Sequence, residues 1–83
     1  MSQKATTADE RFLIRLYQTA QSSGDLLSKL QYLGIARSMG LKENALKNMI
    51  KHLAQANLIC KLDEASIRLT SRGCDLVSEL LDL

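Results

Sequence analysis

Asn44, Lys47, Asn48, Lys51 and Gln55 recur three and four residues apart, so on a helix they share one face. Leu46, Met49, Ile50 and Leu53 fall on the other. The chemistry open to the first set is recognition rather than bond-making. Their amides donate and accept at once, and their ammonium groups donate to acceptor atoms or phosphate. A helix anchored by its apolar side and showing lysine and asparagine outward fits the major groove of DNA. The competing reading of the same pattern is a solvated helix face.

The residues that could make or break bonds form no such group. His52 is the single histidine and has no placed nucleophile or carboxylate partner. Cys60 and Cys74 are the only cysteines; they are not a CxxC pair, and with His52 they match no zinc spacing. Each is expected to be a buried or partly buried free thiol in a reducing compartment. No serine sits in a nucleophile turn, and there is no glycine-rich phosphate loop. The chain is therefore not expected to be an enzyme, and no cofactor, metal or small-molecule ligand is expected.

The elements that must position the polar face follow from composition and pattern. Eighty-three residues allow one domain, 1–83. With 46% hydrophobic residues the chain can build a core, so a disordered tail is excluded. The absence of proline and the abundance of helix formers favour a mainly helical fold. No apolar run suits a membrane span, and Met1–Thr7 lacks the apolar centre of an export signal, so a cytoplasmic location is expected. The net charge of +2 is small, but unevenly spread. Between Leu26 and Leu62 six cations (Lys29, Arg37, Lys42, Lys47, Lys51, Lys61) face the single acid Glu43, whereas Asp75, Glu79 and Asp82 make the C-terminal stretch acidic. Such asymmetry suits a polyanion met by the middle of the chain, or ordinary surface charge.

Thr7-Ala8-Asp9-Glu10 fits a capping box, followed by the stripe Phe12, Leu13, Leu16, Tyr17 and Ala20, so a first helix is expected over about 8–21. Ile14 lies off that stripe. Asp25 is a candidate cap for the next stretch, in which Leu26, Leu27, Leu30, Leu33 and Ala36 can share one broad face. That stretch reads as one helix from Leu26 to Met39 or as two short ones meeting near Gln31. Gly34 inside it predicts close approach of a neighbouring backbone. Gly40 is placed to end it in a left-handed conformation. A third helix should run from Lys42 or Glu43 to Ala56, with Asn57 as its left-handed cap. Leu58–Leu62 and Ser66–Thr70 read as the two strands of a short hairpin, and Thr70 or Ser71 caps a last helix bearing Cys74, Leu76, Val77, Leu80, Leu81 and Leu83. The expected class is α+β, mainly α with a small β-hairpin, in the order α-α-α-β-β-α.

From about Leu30 to Leu80 the chain resembles the winged helix-turn-helix family, in particular the small MarR-, PadR- and DtxR-like regulators. Ile35-Ala36-Arg37-Ser38-Met39-Gly40-Leu41 is similar to the first helix and turn of the motif. Leu46, Ile50 and Leu53 with Ala56-Asn57-Leu58-Ile59 are similar to the recognition helix and its exit. Leu69-Thr70-Ser71-Arg72-Gly73 is similar to the Leu-Thr-x-x-Gly ending of the second wing strand. Asn57 stands where the family commonly has glycine, and Glu43 lies near the start of the presumed recognition helix. The resemblance implies a helix-turn-helix at about 32–56, a wing at about 58–70 and a C-terminal helix at about 71–82.

It also implies roles. The third helix would enter the major groove with its N-terminal half. Asn44 and Asn48 would suit adenine, and Lys47 would donate to guanine or phosphate. Lys42 and Lys51 would set register on phosphates, with Arg37, Lys61 and Arg68 as further backbone contacts, while Arg72 would contact phosphate or cover the last helix. Leu76, Val77, Leu80, Leu81 and Leu83 would supply a homodimer interface, the competing arrangement being terminal helices packed together within one subunit. The function implied is sequence-specific binding of double-stranded DNA by a dimeric transcriptional regulator. The alternative is a protein–protein interaction module of the same fold in a larger assembly, without DNA contact. RNA is the weaker fit, because Phe12, Tyr17 and Tyr32 are the only aromatic residues and none lies on the polar face of the third helix.

Overall fold

Local hydrogen-bonding devices mark several of the helix ends. In the computed structural model, which describes residues 7–81, α1 spans Ala8–Ser22. Its capping box is complete. The Glu10 N–H donates to Thr7 Oγ1 at 3.2 Å, and the Thr7 N–H donates to Glu10 Oε1 at 2.9 Å. The expected apolar stripe is its buried face.

The stretch after α1 departs from expectation. Asp25 does not cap a helix. Its Oδ1 accepts from the Leu27 N–H at 3.0 Å and its carbonyl from the Ser28 N–H at 3.1 Å, which closes a turn instead. The chain then forms a two-residue strand, β1 (Leu30–Gln31), before the short helix α2 (Tyr32–Ser38). No helix covers Leu26–Met39, and Leu27 and Leu33 are 42% and 44% exposed rather than sharing the buried face of Leu30 and Ala36. The cause is non-local: Leu30 pairs with Ile67 and Gln31 with Ser66, on a strand that lies beyond the next two helices and another strand in the chain. Two residues carry no readable period.

α2 and α3 (Glu43–Gln55) end alike. Gly40, at φ 73°, and Asn57, at φ 66°, adopt the expected left-handed conformation. In each case two N–H groups turn back into the last helical turn: Gly40 to Arg37 O and Leu41 to Ala36 O, then Asn57 to Ala54 O and Leu58 to Leu53 O, all at 3.0 Å. β2 (Ile59–Lys61) and β3 (Ser66–Leu69) follow as the expected hairpin. Because β1 also pairs with β3, the sheet has three antiparallel strands in the order β1-β3-β2. Its central strand therefore buries Ser66 and Ile67 in succession, where simple alternation predicts one exposed residue.

Thr70 caps α4 (Ser71–Leu81): its Oγ1 accepts from the Gly73 N–H at 3.0 Å and donates to the Asn57 carbonyl. One hydroxyl thus joins the end of α3 to the start of α4. Gly73 is buried against the Leu58 carbonyl, so closely that a Cβ there would overlap it. The close backbone approach expected at Gly34 occurs here instead, since nothing stands near Gly34, which is exposed. Leu69-Thr70-x-x-Gly73 is therefore a packing device: a buried leucine, a cap and a glycine that admits the neighbouring chain.

Over the described residues the result is an α+β fold of four helices and one small antiparallel sheet. Phe12, Leu13 and Leu16 from α1, Leu46, Ile50 and Leu53 from α3, Ile67 and Leu69 from β3, and Val77 from α4 meet in one core. α1 packs against α4. Val77 is fully buried within this core, which removes it from the expected dimer surface. No described helix is long and apolar enough to cross a membrane.

Candidate nucleic-acid interface

α3 separates its two faces as the spacing requires. Leu46, Met49, Ile50 and Leu53 are buried, while Asn44, Lys47, Asn48, Lys51 and Gln55 are exposed. The glycine turn after α2 sets the direction of α3, and the Lys42 backbone caps it without a side-chain bond. Lys42 is exposed beside this cap, and Arg37 is exposed near the end of α2. His52 is exposed as well. Among the described residues, no group of three His, Cys, Asp or Glu side chains could hold a metal ion.

The electrostatics of the face are modified by one acid. Glu43 Oε1 lies 3.7 Å from Lys47 Nζ, one helical turn on, with both side chains largely in water. Lys47 is thus partly neutralised from within its own helix. The i,i+4 spacing of Glu43 and Lys47 is visible in the sequence and is the signal that reasoning from single residues overlooks. Arg37, Lys51 and Lys61 have no carboxylate partner among the described residues.

Tertiary structure brings together Arg37, Lys47, Lys51 and Lys61. All four line an open groove of about 1060 Å³ between α2, α3 and β2, floored by apolar atoms of Leu33, Ala36, Leu46 and Ile50. Lys61 belongs there because it shares a sheet face with Ile59 and its register partner Ile67, beyond the edge of the core. Arg68 pairs with Cys60, one position out of phase, and so lies on the opposite face. Its Nη1 donates to the Leu69 carbonyl at 3.3 Å. Arg68, expected with Lys61 as a further backbone contact, therefore does not share the groove with Lys61.

The hairpin turn carries charge of the other sign, Asp63 and Glu64. The Ala65 N–H, 2.9 Å from Asp63 Oδ1, holds that carboxyl below the usual carboxylate range, with the Ser66 side chain and Lys29 acting in the same direction. Lys29 Nζ lies 3.6 Å from Asp63 Oδ2. The Tyr32 hydroxyl donates to the Glu64 carbonyl at 2.6 Å and so ties the turn to the start of α2, closing one end of the groove. Tyr32, Leu33 and Glu64 are groove residues to which the sequence assigned no site role, because only the fold brings Glu64 beside the other two.

On the last helix, Leu76, Leu80 and Leu81 are half-buried and Leu83 lies outside the described residues. Burial raises the Cys74 thiol above its ordinary pKa, and Asp75 beside it acts in the same direction. Compared with known proteins, the chain matches no family model, and no curated protein or solved structure is significantly similar to it.

Proposed function

We propose that this chain is a winged helix-turn-helix domain that binds double-stranded DNA and serves as a transcriptional regulator. α2, the Gly40 turn and α3 are the helix-turn-helix, β2 and β3 the wing. The observation that carries this reading is α3 itself: four buried apolar residues anchor it, and three amides and two amines stand exposed on its other side. Asn44 and Asn48 read adenine edges, Lys47 reads guanine or phosphate, and Lys42, Lys51, Arg37 and Lys61 neutralise the backbone. The acidic turn at Asp63 and Glu64 keeps the tip of the wing away from phosphates, so α3 carries the binding. Two copies, joined through Leu76, Leu80 and Leu81 of α4, would present two such helices to one site.

Binding of random-sequence duplex over a salt series tests this. Affinity should fall steeply with salt, and Lys47→Ala and Lys51→Ala should each lower the slope of log K against log salt by about 0.9, one phosphate contact apiece. An absent or salt-insensitive signal, unchanged by either substitution, defeats the DNA reading. Light scattering at micromolar concentration tests the dimer, and a monomer removes it. The acidic turn and the Glu43–Lys47 pair favour the second reading, a protein-interaction module of the same fold.

A further inference from the structure

The groove between α2, α3 and β2 combines a cationic rim with accessible apolar atoms. Its accessible apolar lining is Leu33, 44% exposed on α2, with half-buried Leu41 and Ala54, over the buried Ala36, Leu46 and Ile50. A sugar–phosphate backbone gains nothing from such a lining. Its volume of about 1060 Å³ is at the upper end for a small-molecule site, and it opens to solvent, which leaves room for a segment of polypeptide. The rim selects charge: Arg37, Lys47, Lys51 and Lys61 stand against Glu43 and Glu64, and Glu43 already faces Lys47.

We propose that this groove docks an acidic amphipathic helix of a partner protein, with its leucine-type side chains on the apolar floor and its carboxylates on Arg37, Lys51 and Lys61. Lys47 and Lys51 belong both to the groove rim and to the outer face of α3. A docked acidic helix therefore takes cations that a duplex needs, and the two ligands exclude one another. The exclusion rests on the DNA reading above; the docking does not.

The probe is a fluorescein-labelled synthetic helix with leucines at i, i+3, i+4 and i+7 and glutamates flanking them, compared with the same peptide carrying lysines for glutamates. Three proteins are titrated with peptide and with duplex: wild type, Leu33→Ser and Asn48→Ala, each checked for wild-type far-UV circular dichroism. Leu33 lines the groove and is absent from the polar face of α3; Asn48 is on that face and does not line the groove. The acidic peptide should bind wild type and the basic one should not. Leu33→Ser should weaken the peptide about tenfold, as loss of a buried leucine contact implies, with duplex affinity kept within about twofold. Asn48→Ala should do the reverse, and peptide should displace duplex from wild type. Equal binding of the two peptides, or a peptide affinity indifferent to Leu33→Ser, overturns the docking. Equal weakening of duplex and peptide by Leu33→Ser gives the groove to the nucleic acid and also overturns it. Simultaneous binding overturns the exclusion, as does a wild-type protein that binds peptide with Leu33 dependence but no duplex; in that last case the docking stands and the DNA reading falls.

Discussion

Two glycines on one chain should respond to the same substitution with opposite sign. At Gly73 an added methyl would overlap the Leu58 carbonyl oxygen, which accepts from the Thr70 N–H at 3.2 Å. Neither side can retreat freely. Leu58 is tied back to Leu53, and the Gly73 N–H is held by Thr70 Oγ1. Overpacking costs about 1–3 kcal/mol, and weakening the Thr70–Leu58 bond about 0.5–1.5 kcal/mol more. Alanine recovers about 1 kcal/mol through its better helix propensity. The net loss for Gly73→Ala is then about 1–3 kcal/mol, which for a domain of this size lowers Tm by roughly 5–20 °C. At Gly34 nothing lies near a new Cβ and φ is not positive. Only the propensity gain applies there, so Gly34→Ala should raise Tm by roughly 3–7 °C. Thermal melts followed by far-UV circular dichroism read both. A Gly73→Ala protein melting within two degrees or so of wild type, or a destabilised Gly34→Ala, would refute the assignment of the close approach to the α3–α4 junction.

Thr70→Val keeps the shape of the side chain but removes both the cap of α4 and the bond to the Asn57 carbonyl. It should cost about 1–2 kcal/mol of unfolding free energy, read as a lower urea midpoint at unchanged m-value. Glu43→Gln deletes the acid beside Lys47 and removes one negative charge from the proposed DNA face; duplex affinity at low salt should rise about two- to threefold, and a fall would instead make Glu43 a base contact. Asp63 is held charged by the Ala65 N–H, so its folded pKa lies below its unfolded one. Its contribution to stability is complete above the ordinary carboxylate value and is lost as pH falls through the depressed folded value. An NMR titration of the Asp63 carboxyl should therefore give a lower midpoint in the folded protein than in urea, and equal midpoints would contradict the turn geometry.

The features legible in the chain are those whose physics is local: one helical turn, a helix end or a single hairpin. The Thr7–Glu10 box, the left-handed ends at Gly40 and Asn57, the two faces of α3 and the Thr70 cap each depend on near neighbours, so residue type and spacing suffice to locate them. The cationic face of α3 was readable for the same reason. What needed the fold is set by contacts between distant segments. β1 exists because Leu30 and Gln31 find β3, not because their own pattern asks for a strand. Gly34 and Gly73 look alike as residues, and only the path of Leu58 past α4 distinguishes them. Lys61 and Arg68 both read as strand cations, yet the register with β3 sends them to opposite faces of the sheet. The groove joins Leu33, Ile50 and Lys61 from three elements, and no periodicity within any one element announces it. Local hydrogen bonding is encoded in adjacent residues, whereas burial and proximity are properties of how the elements pack.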